Sequence, residues 1–371
     1  MPAMGTKVAP KPAIRRLGIL TGGGDAPGLN AVIRSVVRTA ERLADVTSLG
    51  ILDGFEGLLD RRFLTLDHTV TRGLVRRGGT VLGTTNRCNP FAFAGADGVR
   101  RDRSQEVVEH AREAGLDGLV VIGGDGTLRI AGELARLGLP VVGVPKTIDN
   151  DLAATDFTFG FWTAIGTATD ALDRLRDTAE SHHRVMMLEV MGRDAGWIAL
   201  YAGIAGGADV VLLPEIPYCV DAIESAVERR AARGQAYSLI VVAEGARPRG
   251  GEASYATRDA GDGHPRHGGA AERLARELAP RIEHEIRWTV LGHLQRGGSP
   301  VPFDRILATR LGTRAAELAI AGEWGRMVCL RGDRITDVAI ADAVARQKFV
   351  DPAGDLVATA RATGIGFGDE P

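Results

Sequence analysis

Asp149, Asn150 and Asp151 close the run VVGVPKTIDND at 141–151, an apolar strand ending in side chains that bind protons and metals. The strand GLVVI at 118–122 runs into GGDGTL at 123–128, and LGIL at 17–20 runs into TGGGDAPGLN at 21–30. Glycine lets backbone N–H groups approach a phosphate, and a carboxylate beside phosphate requires a cation between the two, for which magnesium is suited. A parallel α/β sheet presents its ligand crevice at the carboxyl ends of its strands. Three loops that each follow a strand are therefore expected to meet in one place, and the chemistry they suit together is phosphoryl transfer.

Each loop taken alone has a plainer reading. TGGGDAPGLN would serve as a strand–helix turn; it is not a dinucleotide fingerprint, because Pro27 stands where the third glycine belongs, and no Walker A sequence occurs in the chain. GGDGT after a strand also occurs in lipid kinases and NAD kinases, where it likewise binds nucleotide phosphates. PKTIDND would serve as an Asx-rich turn. In an extended chain Asp149 and Asp151, two apart, point to one side, so one suits a base toward a hydroxyl and the other a support for a metal.

The elements that must position these residues alternate along the chain as strand and helix, the pattern of a doubly wound sheet. Helices are expected at 29–43, 103–114, 128–137, 160–177, 270–279, 301–321 and 337–346, and strands at 46–51, 140–144, 184–192, 209–213, 238–243 and 287–293. Residues 1–12 read as a disordered tail, 246–269 as a mobile loop and 361–371 as a loose end. Composition is that of a globular protein, with 44% hydrophobic and 25% charged residues and a net charge of −2. That balance gives no reason to expect nucleic acid or a membrane surface, and no apolar run approaches a membrane span. The N-terminus lacks the apolar core of a secretion signal, and Cys88, Cys219 and Cys329 suggest neither disulfides nor a metal motif, so a cytoplasmic location is expected.

Taken together, GGDAPGLN (23–30), GGDGT (123–127), PKTIDND (145–151), DRLRDTAESHHR (173–184), EVMGRDAG (189–196), Ala243-Glu244 and RWTVLGHLQRGGSPVPFDR (287–305) resemble the 6-phosphofructokinase family, from about Arg16 to Gln347. The resemblance implies two doubly wound, Rossmann-like α/β domains with mostly parallel sheets and the active site in the cleft between them. The larger, donor-binding domain would take 13–160 and 295–345, and the smaller, sugar-phosphate domain 161–294 and 346–360. It implies Mg2+-dependent phosphorylation of fructose 6-phosphate on its C1 hydroxyl, with Asp149 as base, Arg193 neutralising the transferring charge and Thr147 beside them. Asp125 resembles the metal carboxylate, with Asp151 as helper. Gly23, Gly124, Gly126 and Thr127 would line the donor phosphates, Arg87 would bridge donor and acceptor, and Cys88 and Lys146 fall in the same donor set. Arg184, Met191, Gly192, Glu244, Arg287, His293 and Arg296 match the substrate positions. The residues matching Arg184 and Arg287 come from a neighbouring subunit in this family, which implies a homotetramer or homodimer.

The family divides between ATP and pyrophosphate users, and two positions bear on the donor. Gly126 matches ATP users, leaving room for an α-phosphate, whereas Lys146 matches pyrophosphate users. ATP is the expected donor, because a missing carboxylate opens the site while a lysine beside phosphates need not close it; pyrophosphate is the alternative. Arg34, Arg38, Arg62 and Arg176 resemble parts of an effector site that binds ADP or phosphoenolpyruvate, but Gln235 and Asp209 replace an expected lysine and glutamate. Arg34 and Arg38, at i and i+4, equally suit a solvated helix face.

Overall fold

A computed structural model describes residues 14–95, 97–257 and 266–370. The predicted tail at 1–12 and the middle of the 246–269 loop lie outside the described residues. The chain begins with β1 (Arg16–Thr21), α1 (Leu29–Ala44), β2 (Thr47–Ile51), α2 (Phe55–Leu59), β3 (Phe63–Leu66), and a short hairpin, β4 (Phe93–Ala94) and β5 (Arg100–Arg101). It continues through α3 (Ser104–Glu113), β6 (Gly118–Gly123), α4 (Asp125–Arg136) and β7 (Val141–Pro145). The long helix α5 (Phe161–His182) leads to β8 (Val185–Val190), α6 (Trp197–Ala205), β9 (Val210–Leu212), α7 (Val220–Ala232) and β10 (Ser238–Ala243). A second hairpin, β11 (Tyr255–Thr257) and β12 (Arg266–His267), precedes α8 (Ala270–Leu278) and β13 (Ile286–Val290). After a 3-10 turn at Gly292–Arg296 the chain returns with α9 (Pro302–Ala321), β14 (Arg326–Arg331), β15 (Arg334–Ala339), α10 (Ile340–Ala343) and α11 (Asp355–Ala362).

Two sheets form the frame. The larger runs β15-β14-β7-β6-β1-β2-β3, parallel except for its edge strands β3 and β15; the smaller runs β13-β8-β10-β9 and is parallel throughout. Both have buried, nearly continuous apolar central strands such as Leu119–Ile122 and Leu239–Val242, as expected where helices cover both faces. α1 and α9 pack together on one face of the large sheet, aligning Val32, Ile33 and Val36 with Ala308, Leu311 and Ala315. Gly312 lets them approach closely, since a Cβ there would stand 2.8 Å from the Val32 carbonyl oxygen. Asp304, in the first turn of α9, accepts hydrogen bonds from the Thr163 N–H (2.7 Å) and hydroxyl (2.6 Å), so α9 caps the start of α5 and ties the frames together.

Three sequence expectations are corrected. Residues 337–346 are not one helix: β15 pairs antiparallel with β14 across a two-residue Gly332-Asp333 turn, leaving α10 only Ile340–Ala343. Part of 246–269 is ordered as the β11–β12 hairpin. Residues 361–370 are not loose, because Phe367 is buried, Arg361 pairs with Asp369 at 2.5 Å, and Gly366 bridges to Val210.

Candidate active site

β1, β6 and β7 are neighbours in the large sheet, so the three glycine- and aspartate-rich loops leave adjacent carboxyl ends. α4 begins at Asp125, three residues earlier than its apolar spacing predicts, and Asp125, Gly126 and Thr127 form its first turn. The free N–H groups of such a turn carry the positive end of the helix dipole and suit phosphate. A Cβ at Gly126 would meet no atom within 4 Å, so the space in front of this turn is open. Gly124 is tighter, since a Cβ there would stand 3.3 Å from the Lys146 carbonyl oxygen.

Gly23 acts otherwise than expected. Its N–H is donated to the Thr85 carbonyl (3.0 Å) rather than left for a phosphate, and its φ of 78° places it in the left-handed region. Its missing side chain keeps the loop against Thr127 and against Lys146 Nζ, which would lie 3.4 Å from a Cβ there. Lys146 is almost fully buried and donates from Nζ to the Gly24 carbonyl. Burial, with Arg296 and Arg193 nearby, pushes its pKa down to about 7. Arg87 and Cys88 line a cleft of about 930 Å3 with Gly23, Gly24 and Asp25; burial pushes the Cys88 thiol up to about 12, so it stays protonated.

In the PKTIDND loop the reason given for pairing Asp149 with Asp151 fails. Asn150 has a φ of 53°, so the chain is not extended there, and Asn is among the few residues that tolerate this conformation. The loop is held by Thr147 Oγ, which accepts from the Asp149 N–H (3.0 Å), and by Asn150 Oδ1, which accepts from the Thr158 N–H (3.1 Å). Asp149 Oδ1 is buried and has no hydrogen-bond partner. Burial pushes the Asp151 pKa up, and the neighbouring Asp149 and Asp125 carboxylates add to it, while Arg193 opposes. Asp125 and Asp151, near enough for their charges to interact, fit a divalent cation held by few protein ligands and by donor oxygens, which leaves the Asp149 oxygen for another role. Among the described residues no group of three His, Cys, Asp or Glu side chains forms a ready-made metal cage. Asp125 itself is held by Arg129 Nε at 3.0 Å, one helical turn on.

From the small sheet, β8 delivers Met191, Gly192 and Arg193 into the same crevice. Glu244, just after β10, accepts from the N–H groups of Gly192 (3.2 Å) and Arg193 (2.8 Å), and Gln295 Oε1 accepts from Met191 (2.8 Å). Arg193 takes a left-handed φ of 52° and remains exposed, free to swing toward a ligand. Burial, with Asp149 nearby, raises the Glu244 pKa. Arg296 reaches across to donate to the Asp25 carbonyl (3.1 Å), joining both halves of the crevice.

Arg184 and Arg287 are not brought to this crevice. Both pair with Glu285 and lie at the start of β8 and β13, on the order of 20 Å along the strand from Met191. His293 is exposed in the 3-10 turn, one turn before Arg296. Of the residues expected at an effector site, four are engaged with the protein, Arg38 with Thr71 and the His68 carbonyl, Arg62 with Asp53, Glu56 and Asp60, Arg176 with the Gly206 and Gly207 carbonyls, and Asp209 with Arg230. Sequence reasoning missed Gln295, which sits inside the quoted HLQRGG run, and Arg129, which stands at i+4 from Asp125 on the helix. It also missed Asp194, which pairs with His267 at 2.9 Å. Gln295 and Asp194 lie inside quoted runs and Arg129 stands one helical turn from one, whereas His267, the partner of Asp194, carried no local signal.

Residues 16–319 match the family model described as phosphofructokinase. The chain is 52% identical over 357 residues to a Chloroflexus aggregans protein named ATP-dependent 6-phosphofructokinase, covering 96% of this chain and 98% of that one. It is 50% identical over 340 residues to a Streptomyces coelicolor protein named pyrophosphate--fructose 6-phosphate 1-phosphotransferase, covering 91% of this chain and 97% of that one. Among solved structures, phosphofructokinase from Saccharomyces cerevisiae superposes with a TM-score of 0.76 at 30% identity, covering 94% of this chain, which spans 46% of the yeast chain. Among the described residues no helix is long and apolar enough to cross a membrane.

Proposed function

The chain belongs to the phosphofructokinase family, and from that membership we propose that it transfers the γ-phosphoryl group of ATP to the C1 hydroxyl of fructose 6-phosphate, giving fructose 1,6-bisphosphate and ADP, a step of glycolysis. The observation that carries the choice of ATP is the open space at Gly126, where a donor longer than pyrophosphate extends past the first turn of α4. The first turn of α4 holds the donor phosphates, with Gly23, Gly24, Arg87 and Cys88 lining the cleft beside it. Lys146 supplies a positive charge once phosphate is bound, because an adjacent anion restores its proton.

Asp149 accepts the proton of the C1 hydroxyl through its unpartnered oxygen, with Thr147 fixing its backbone. Arg193 neutralises charge on the transferring group, and positioning together with charge neutralisation supplies most of the rate. Asp125, helped by Asp151, would hold Mg2+. The ion would supply charge neutralisation across the donor phosphates. Glu244, Met191 and Gly192 orient the sugar, and Arg296 and His293 take its phosphate. We assign 13–160 with 295–345 to the donor unit and 161–294 with 346–360 to the sugar-phosphate unit, a reading supported by the division of the main strands between two sheets.

Arg184 and Arg287 reach substrate only if another copy of the chain presents them, so the active form is a homotetramer or homodimer. Support comes from apolar side chains left exposed, Trp288 and Val290 beside Arg287 on the edge strand β13, and Ile306 on α9. We place the enzyme in the cytoplasm, where its substrates are made.

Pyrophosphate remains a second reading because the buried cation Lys146 stands beside the donor loops. The test is turnover with fructose 6-phosphate and magnesium, supplied with ATP or with pyrophosphate. Turnover with ATP alone is expected; turnover with pyrophosphate alone overturns the donor assignment, and turnover with neither overturns the function.

A further inference from the structure

The turn that presents Arg193 is held at four points. Gln295 binds the Met191 N–H, Glu244 binds those of Gly192 and Arg193, and Glu215 binds that of Gly196 at 2.9 Å. All three come from the packed framework. The fourth tether grips a side chain: His267 Nε2 lies 2.9 Å from Asp194 Oδ1, the carboxylate next to Arg193.

His267 belongs to β12, whose only strand partner among the described residues is β11. Its ring stacks on Tyr255 of β11, with centroids 5.0 Å apart and planes at 24°. The hairpin is fastened to the site at its exit as well: Glu189, buried in β8 two residues before Met191, accepts from the Gly269 (3.0 Å) and Ala271 (2.9 Å) N–H groups. One strand therefore carries both the anchor of the hairpin and the arginine turn. His267 also sits within electrostatic reach of Glu244, the carboxylate that holds the Arg193 N–H.

We propose that His267 is a positioning residue for phosphoryl transfer: by holding Asp194 from the β11–β12 hairpin, it fixes the left-handed turn that aims Arg193. The inference rests on the catalytic reading above. A non-glycine residue at positive φ returns to commoner conformations when released, and an arginine that neutralises a transition state is sensitive to displacements of an ångström. Glu244 keeps its own backbone contacts without His267, so sugar binding should change little.

The test compares His267→Ala, His267→Gln, Asp194→Ala and the double variant His267→Ala/Asp194→Ala in the full chain, with steady-state kinetics and thermal unfolding. Gln places an N–H where Nε2 stands. We expect His267→Ala to lower kcat about tenfold or more, KM for fructose 6-phosphate to stay within about threefold, and His267→Gln to recover most of kcat. The double variant should lose no more than the worse single variant, because both remove one tether. Near-normal kcat in a folded His267→Ala protein overturns the proposal, as do additive losses in the double variant. If His267→Ala does not fold, a folded His267→Gln protein with kcat reduced as far as that of Asp194→Ala overturns it too. Wild-type turnover in the same assay separates the two readings: its absence sinks the assigned reaction, whereas its presence with an insensitive His267 sinks this inference alone.

Discussion

Asp149 combines burial with an oxygen that no protein group satisfies, which is what a base awaiting a substrate hydroxyl requires. Asp149→Asn should lower kcat by a factor of at least about 100 with little change in fructose 6-phosphate binding, measured by steady-state kinetics alongside ligand titration. Near-normal turnover would remove Asp149 from the base role. Gly126 makes the complementary case from absence of a side chain. Gly126→Asp places a carboxylate in the open space before α4, and ATP turnover should fall at least about tenfold through repulsion of the donor phosphates. Unchanged ATP kinetics would end the argument that this position selects the donor. At this scale the sequence was informative where residues fall in contiguous runs: GGDGT and PKTIDND were among those that pointed to the family the chain belongs to. It was silent on His267, which meets Asp194 across 73 positions, and no local spacing encodes such a meeting.

Among the elements, those with sustained periodicity were legible. α1 was predicted at 29–43 and found at Leu29–Ala44, and the strand at 238–243 was found as predicted. The failure at 337–346 is instructive, because alanine-rich sequence favours helix locally while pairing with β14 over six positions overrides it. The Gly332-Asp333 turn was the available hairpin signal. The junction of α5 and α9 carries a pH prediction. Burial pushes the Asp304 pKa up to about 6, from 3.8, against the hydrogen bonds of Thr163. A carboxyl with a raised folded pKa holds its proton more tightly in the folded state. Its contribution is therefore fully present below about pH 4 and is lost as pH rises through about 6, a change of up to about 3 kcal/mol. The unfolding midpoint of Asp304→Asn should then fall less, or rise more, than that of wild type between pH 4 and 6. Parallel curves would show that Asp304 does not titrate in that window.

For the whole molecule, the crevice between the sheets gathers the residues proposed for transfer within one copy but leaves Arg184 and Arg287 at the starts of β8 and β13. Asp149→Asn and Arg287→Ala lesions should then fall in different subunits' contributions to a site. Each variant alone should be nearly inactive at moderate fructose 6-phosphate, and unfolding and refolding the two together should restore a measurable fraction of activity through mixed assemblies. No recovery in mixtures shown to exchange subunits would mean that each copy completes its own site. Seven positions on the strand predicted at 184–192 already separate Arg184 from Met191 by on the order of 20 Å, whereas the expectation that another copy supplies Arg184 came from the family resemblance and not from spacing.

The position of β14 has a consequence for biosynthesis. It lies beside β7 in the large sheet, yet the chain leaves β7 at Pro145 and reaches β14 only at Arg326, after the whole smaller sheet has been made. At roughly 5–20 residues per second, a ribosome needs on the order of ten to forty seconds for that stretch. During that interval β7 has an unpaired edge, and α1 lacks the apolar cover of α9. The unit translated first is thus the last to be completed, and a nascent chain of this enzyme presents chaperones with a half-built sheet for as long as the second one takes to emerge.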